Sequence, residues 1–133
     1  MMGEINIVTV FLGAAAFFVV GMIWYGVLFG KAWQKAAGLS DEFVQSGNMP
    51  LIFGLCFAFE VLISVMLAHL YARTSPSANA MMMMAVGIGA GFMVPALGIS
   101  YLYLRKSALH FVIDAAHFII GMAAMGAVFV AMR

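Results

Sequence analysis

Four long apolar stretches, Ile5–Leu28, Leu51–Ala72, Asn79–Leu104 and Leu109–Met132, constrain this chain more than any other feature. Each is close to the roughly 20 residues an α-helix needs to cross the hydrocarbon core of a bilayer. Hydrophobic residues make up 66% of the 133-residue chain and charged ones 8%, where a soluble domain carries about 25% charged residues. So few charges cannot cover so much apolar surface, and lipid is the expected solvent. The expectation is an all-α, integral membrane bundle of four transmembrane helices, forming a single domain over residues 1–133.

The first stretch does not read as a secretory leader. No basic segment precedes it, Glu4 stands there instead, and it runs too long for a leader's apolar core. The single cysteine, Cys56, excludes an intrachain disulfide. A formal net charge of +1 points to no nucleic acid.

The polar segment 29–50 joins the first two spans. Within it, Lys31–Ala37 predicts a short amphipathic, interfacial helix with Trp33 at headgroup level, stopped by Gly38. Ser40 predicts an N-cap with Asp41 and Glu42 in the first turn. Asn48 and Pro50 mark the start of the second span. The remaining links, 73–78 and 105–108, are short, so consecutive helices should be antiparallel neighbours. Lys31, Lys35, Arg105 and Lys106 fall on one side, Arg73 and Arg133 on the other. That imbalance places loops 29–50 and 105–108 in the cytoplasm and both termini outside.

Gly21–Trp33 reads GMIWYGVLFGKAW, and His110–Phe129 reads HFVIDAAHFIIGMAAMGAVF. Trp24-Tyr25, the Leu28-Phe29-Gly30-Lys31 turn with Trp33, Gly38-Leu39, Ile113-Asp114 and Met125-Gly126 together resemble the pattern of DUF1761, a family of small bacterial membrane proteins. The resemblance covers nearly the whole chain. It implies a four-helix protein of the bacterial inner membrane and lends no activity.

Ionisable residues inside lipid cost about 2.5–3.5 kcal/mol each at a helix centre, so Glu60, Asp114 and His117 are the candidates for chemistry. At 1.5 Å per residue, Glu60 lies about 14 Å and His117 about 12 Å below the start of its helix, with Cys56 and Asp114 about 8 Å deep. An ion pair or hydrogen bond between Glu60 and His117 is expected. His110, Asp114 and His117 share one face of the fourth helix, and Cys56, Glu60 and Ser64 one face of the second. Such facing stripes can form an ion or proton path, or simply fix the helix register.

In the third span, Gly87 and Gly91 form a GxxxG step for close helix packing, as Gly26, Gly30 and Gly121 do elsewhere. Pro95 should free the Gly91 carbonyl, kink the helix, and bring both residues level with the polar cluster. Trp24, Tyr25, Trp33, Tyr101 and Tyr103 suit an aromatic belt at one membrane face. The 13 methionines, including Met81–Met84, suit flexible apolar filler better than a copper site. His117, His110 and Cys56 are the weak candidates for copper or haem. No Ser-His-Asp, Walker or zinc-protease pattern is present.

Three functional classes remain. The first is a channel or transporter, assembled as a homo-oligomer, carrying an ion, proton or small solute past Glu60, Asp114 and His117. The second is a scaffold subunit docking other membrane helices. The third is a metal- or haem-binding redox protein. A histidine's ordinary titration near neutral pH suits the first class.

Overall fold

The computed structural model describes residues 5–133; Glu4 lies outside the described residues. The first long helix runs as α1 (Ile7–Ile23) and continues through one π turn, Trp24–Leu28. Then come two short helices, α2 (Gly30–Ala37) and α3 (Asp41–Gln45), and a second long helix, α4 (Met49–Thr74). The third long helix is broken internally: α5 (Ala78–Ile88), a π turn at Gly89–Met93, then α6 (Val94–Tyr103). The last is α7 (Ala108–Ala131). The described residues contain no strand, and the architecture is an all-α bundle. Its four long helices, 7–28, 49–74, 78–103 and 108–131, are long and apolar enough to cross a membrane.

Local sequence explains where each helix begins and ends. Asn6, Ser40, Asn48, Ser77 and Ser107 each accept a backbone N–H of the following first turn through the side-chain oxygen, satisfying donors that a helix start leaves unpaired. Gly38 ends α2 at φ 71°, a left-handed position that glycine adopts without steric cost. Pro50 sits in the first turn of α4, where its missing N–H is not needed.

The expected kink at Pro95 takes the form of the π turn. Val94 N–H bonds the Gly89 carbonyl, five residues back. The wider turn shifts the hydrogen-bond ladder just before the residue that cannot donate.

The helix α7 is central. It packs against α1 on one side and against α5 and α6 on the other, while α4 packs on α1. The tightest core lies toward the end of the bundle that carries Asn6 and Arg133. Val10, Phe17, Leu67, Met122, Met125 and Phe129 interlock there, all buried. The outer faces of α4 and of the third long helix remain apolar and exposed, with Leu55, Phe59, Leu62, Phe92 and Leu102 pointing outward. In water this would be untenable; against acyl chains it is the expected surface.

Candidate functional site

Two groups of ionisable side chains occupy the bundle interior, and the first long helix contributes to both. The first centres on Asp114 of α7, which is buried. Tyr25 donates its hydroxyl to Asp114 Oδ1 at 2.5 Å. Tyr101 of α6 donates to Oδ2, and His110 Nε2 lies 3.1 Å from the same oxygen. Trp24 donates its indole N–H to the Ile113 carbonyl at 3.0 Å.

The π turn of the first long helix sets this arrangement. Phe29 N–H reaches back five residues to the Trp24 carbonyl at 2.7 Å, and the adjacent Trp24 and Tyr25 both reach α7. Trp33 of α2 lays its ring edge-on against Tyr25 and His110, at centroid distances of 5.6 and 5.7 Å. The Asp114 carboxyl is therefore fully engaged. Two separate segments, the first π turn and α6, are tied to α7 at this one residue.

The second group lines a cavity of about 250 Å³. Phe18, Gly21 and Tyr25 line it from α1 and its π turn, Phe53, Cys56 and Glu60 from α4, and His117 from α7. Glu60 and His117 are each only 8% exposed. Yet Glu60 Oε1 and both ring nitrogens of His117 are buried without a hydrogen-bond partner. The imidazole is held by ring contacts alone, to Tyr25 at 4.9 Å, Phe118 at 5.0 Å and Phe17 at 5.5 Å. Gly21 makes room for it: a β-carbon there would lie 3.1 Å from His117 Nε2.

The expected Glu60–His117 bond does not form. Among the described residues, His110 and Asp114 make the imidazole–carboxyl contact found, and Glu60 Oε1 is buried without a partner. Shared depth brings the two residues to one cavity. Their helices, however, both pack on α1, which spaces them apart.

Other expected members fall elsewhere. Ser64 is buried but donates to the Val10 carbonyl at 2.8 Å, so it is consumed in joining α4 to α1 and does not line the cavity. Gly91 and Pro95 are exposed and lie outside it too, because α5 and α6 pack on the opposite flank of α7. Asp114 belongs to the first group. Cys56 stands exposed at the cavity's edge.

The glycine step is also displaced. A β-carbon at Gly87 or Gly91 would meet nothing within 4 Å, whereas one at Gly89 would lie 3.2 Å from Met122 and 3.3 Å from the Ile119 Cα. Gly121 does pack closely, against the Phe17 ring. Gly26 borders the cavity with open space before it, and Gly30 fits closely against the Tyr25 carbonyl after the π turn.

Of the aromatic belt, only Tyr103 stands outward, at 85% exposure; Tyr25, Trp33 and Tyr101 turn inward to Asp114 and His110, and Trp24 to the Ile113 carbonyl. Metal ligation finds no support in the donor set: no three His, Cys, Asp or Glu side chains converge among the described residues. The methionine run diverges, with Met81 buried and Met83 74% exposed.

Sequence reasoning missed Phe18 and Gly21. A signal was present, since Phe18, Gly21 and Tyr25 follow i, i+3, i+7 spacing and share one helical face. Their common target could not be read without the helix pairing.

Four membrane-length helices around a buried, partly unpartnered set of carboxyl and imidazole groups define a multi-pass helical membrane protein with a polar interior. The chain belongs to the family DUF1761, described as a protein of unknown function, which it matches over residues 8–130. No curated protein and no solved structure matches it.

Proposed function

We propose that this protein is a small membrane transporter that moves a proton or small cation by way of the Glu60–His117 cavity. The observation that carries the reading is a buried carboxyl with an unpartnered oxygen, beside an imidazole with two unpartnered nitrogens, around a cavity large enough for an occupant. Intramembrane ionisable groups are costly, and those with no internal partner call for a ligand or water.

The surroundings suit a carrier better than an open pore. Tyr25 stands between the cavity, where its ring meets His117, and Asp114, which its hydroxyl holds beside His110, so ionisable groups continue toward the end bearing Lys31, Lys35 and Lys106. In the opposite direction the core of Val10, Phe17, Leu67, Met122 and Met125 closes the bundle. Passage therefore needs a rearrangement of α1 against α4 and α7, or a second copy supplying the missing wall. A homo-oligomer would provide that second copy.

The cation imbalance between the two ends supports a cytoplasmic position for 29–50 and 105–108. The bacterial inner membrane is the location that the sequence resemblance implies. Proteoliposomes holding a pH-sensitive dye test the reading. An imposed proton or cation gradient should collapse faster than in empty vesicles, with Glu60→Gln lowering the rate at least tenfold and His117→Ala several-fold. Folded protein that gives no flux, or flux indifferent to both substitutions, refutes it.

A further inference from the structure

We propose that the cavity binds a small lipophilic organic cation: an ammonium group carrying one ring or a few short alkyl arms, reached from the bilayer between α1 and α4. This rests on the reading of the Glu60–His117 cavity as the place where the carried species sits.

The donor set argues against an inorganic ion. Divalent ions of the calcium type take six to eight oxygen ligands, and potassium filters replace a hydration shell with rings of carbonyl oxygens. Here the acidic lining residue is Glu60 alone, and the Tyr25 hydroxyl is committed to Asp114. What the lining does offer is aromatic: Phe18, Tyr25 and Phe53, beside the His117 imidazole. One carboxyl among π faces is a combination that recognises an alkylated ammonium, whose charge is spread and weakly hydrated. A bare proton would need no cavity.

The route in points the same way. Met22 and Phe53 line the cavity and are also 46% and 40% exposed on the outer surface, as is Cys56. Phe18 meets Phe53 and Phe57 edge-on at 6.1 and 5.8 Å, forming a rim of rings at this opening. The opening lies where acyl chains surround a spanning bundle, so a visitor must tolerate lipid. A hydrated metal ion does not; an amphiphilic ammonium does.

Size sets the upper limit. The cavity, about 250 Å³, falls just under the roughly 300–1,000 Å³ of ordinary ligand pockets, which excludes cations with several fused or branched rings.

Protons compete with such a ligand. The titratable groups facing Glu60 are Cys56 on its own helix, Tyr25 from the first π turn and His117 from α7. Protonating Glu60 removes the attracting charge, and protonating His117 adds a repelling one. Both weaken cation binding as pH falls.

The test is calorimetric titration of the full chain in zwitterionic nanodiscs with benzyltrimethylammonium, using benzyl alcohol as an uncharged probe with the same ring. The expected result is saturable binding of the cation, one per chain, weakened at least tenfold by Glu60→Gln and strengthened from pH 6 to pH 8. Benzyl alcohol should show no dependence on Glu60. No saturable cation binding, or equal binding by Glu60→Gln, overturns the proposal. Should Glu60→Gln not yield folded protein, Gly21→Val decides, since that position lines the cavity and a β-carbon there would lie 3.1 Å from His117 Nε2; it should abolish binding, and unchanged affinity refutes the site. Glu60-dependent proton flux without cation binding would remove this ligand class and leave the transport reading standing. Binding without any flux would do the reverse.

Discussion

Tyr25 bridges the two ionisable groups of the bundle: its hydroxyl holds Asp114 at 2.5 Å while its ring lies 4.9 Å from that of His117. One side chain on α1's π turn thus reports on both the closed cluster and the open cavity. Asp114 has every oxygen engaged and fixes the helices; His117 and Glu60 have polar atoms to spare. Function is read into the second group because its unpartnered atoms line a cavity; in the first, His110 Nδ1 and Trp33 Nε1 also lack partners, but the Asp114 carboxyl is engaged on both oxygens.

Removing the Tyr25 hydroxyl should loosen the bundle without collapsing it. Asp114 keeps Tyr101 and His110 in Tyr25→Phe, and interhelical hydrogen bonds in membranes contribute about 1 kcal/mol. Thermal unfolding in detergent should register a loss of that size. Asp114→Ala, which strands three partners at once, should cost distinctly more. Equal effects of the two changes would contradict the tripartite arrangement.

Glycine substitutions should separate the real helix contact from the apparent one. Gly121→Ala drives a β-carbon to 2.7 Å from the Phe17 ring inside the core, and overpacking of this kind costs about 1–3 kcal/mol. Gly87→Ala meets nothing within 4 Å and should be neutral or stabilising by up to about 1 kcal/mol through helix propensity. Unfolding midpoints ranked in the opposite order would show that the third span packs through Gly87 after all.

Gly21 should prove to be a positioning residue for His117. Gly21→Val crowds the imidazole, since even a β-carbon would lie 3.1 Å from Nε2. The nitrogen resonances of the labelled ring should move, and flux should fall while the unfolding midpoint shifts by less than that of Gly121→Ala. An unmoved His117 spectrum would dissociate the two residues.

Pro95→Ala restores an N–H that could rejoin the α-helical ladder and dissolve the π turn at Gly89–Met93. Spin labels at Met83 and Tyr103, both exposed, should then report a changed separation. The cavity on the far side of α7 should keep its ligand affinity. A loss there would mean that α5 and α6 control the site.

How much of this was visible in the chain depended on whether a feature is local. Helix stops and starts at Gly38, Ser40 and Asn48 were legible because the capping chemistry lies within a few residues. The shared level of Glu60 and His117 was legible too, since depth along a helix is simple counting. Rotation about each helix axis was not. Tyr25 and Tyr101 read as interfacial anchors because they sit near span ends, and only the pairing with α7 turns them onto Asp114. Gly87 and Gly91 match a packing pattern, yet the shifted ladder at Gly89–Met93 gives the contact to Gly89. Ser64 follows Glu60 by one helical turn but points to Val10 on α1, a partner 54 residues away. The two π turns themselves have no sequence signature beyond Pro95 for one and none for the other.

Charge movement in a supported membrane tests whether the Glu60 carboxyl is the seat of the transported charge. A jump in cation concentration or pH across oriented, full-length protein should give a transient current in the wild type, none in Glu60→Gln, and a reduced one in Glu60→Asp, which keeps the acid one methylene shorter. A current of undiminished size from folded Glu60→Gln would contradict the account.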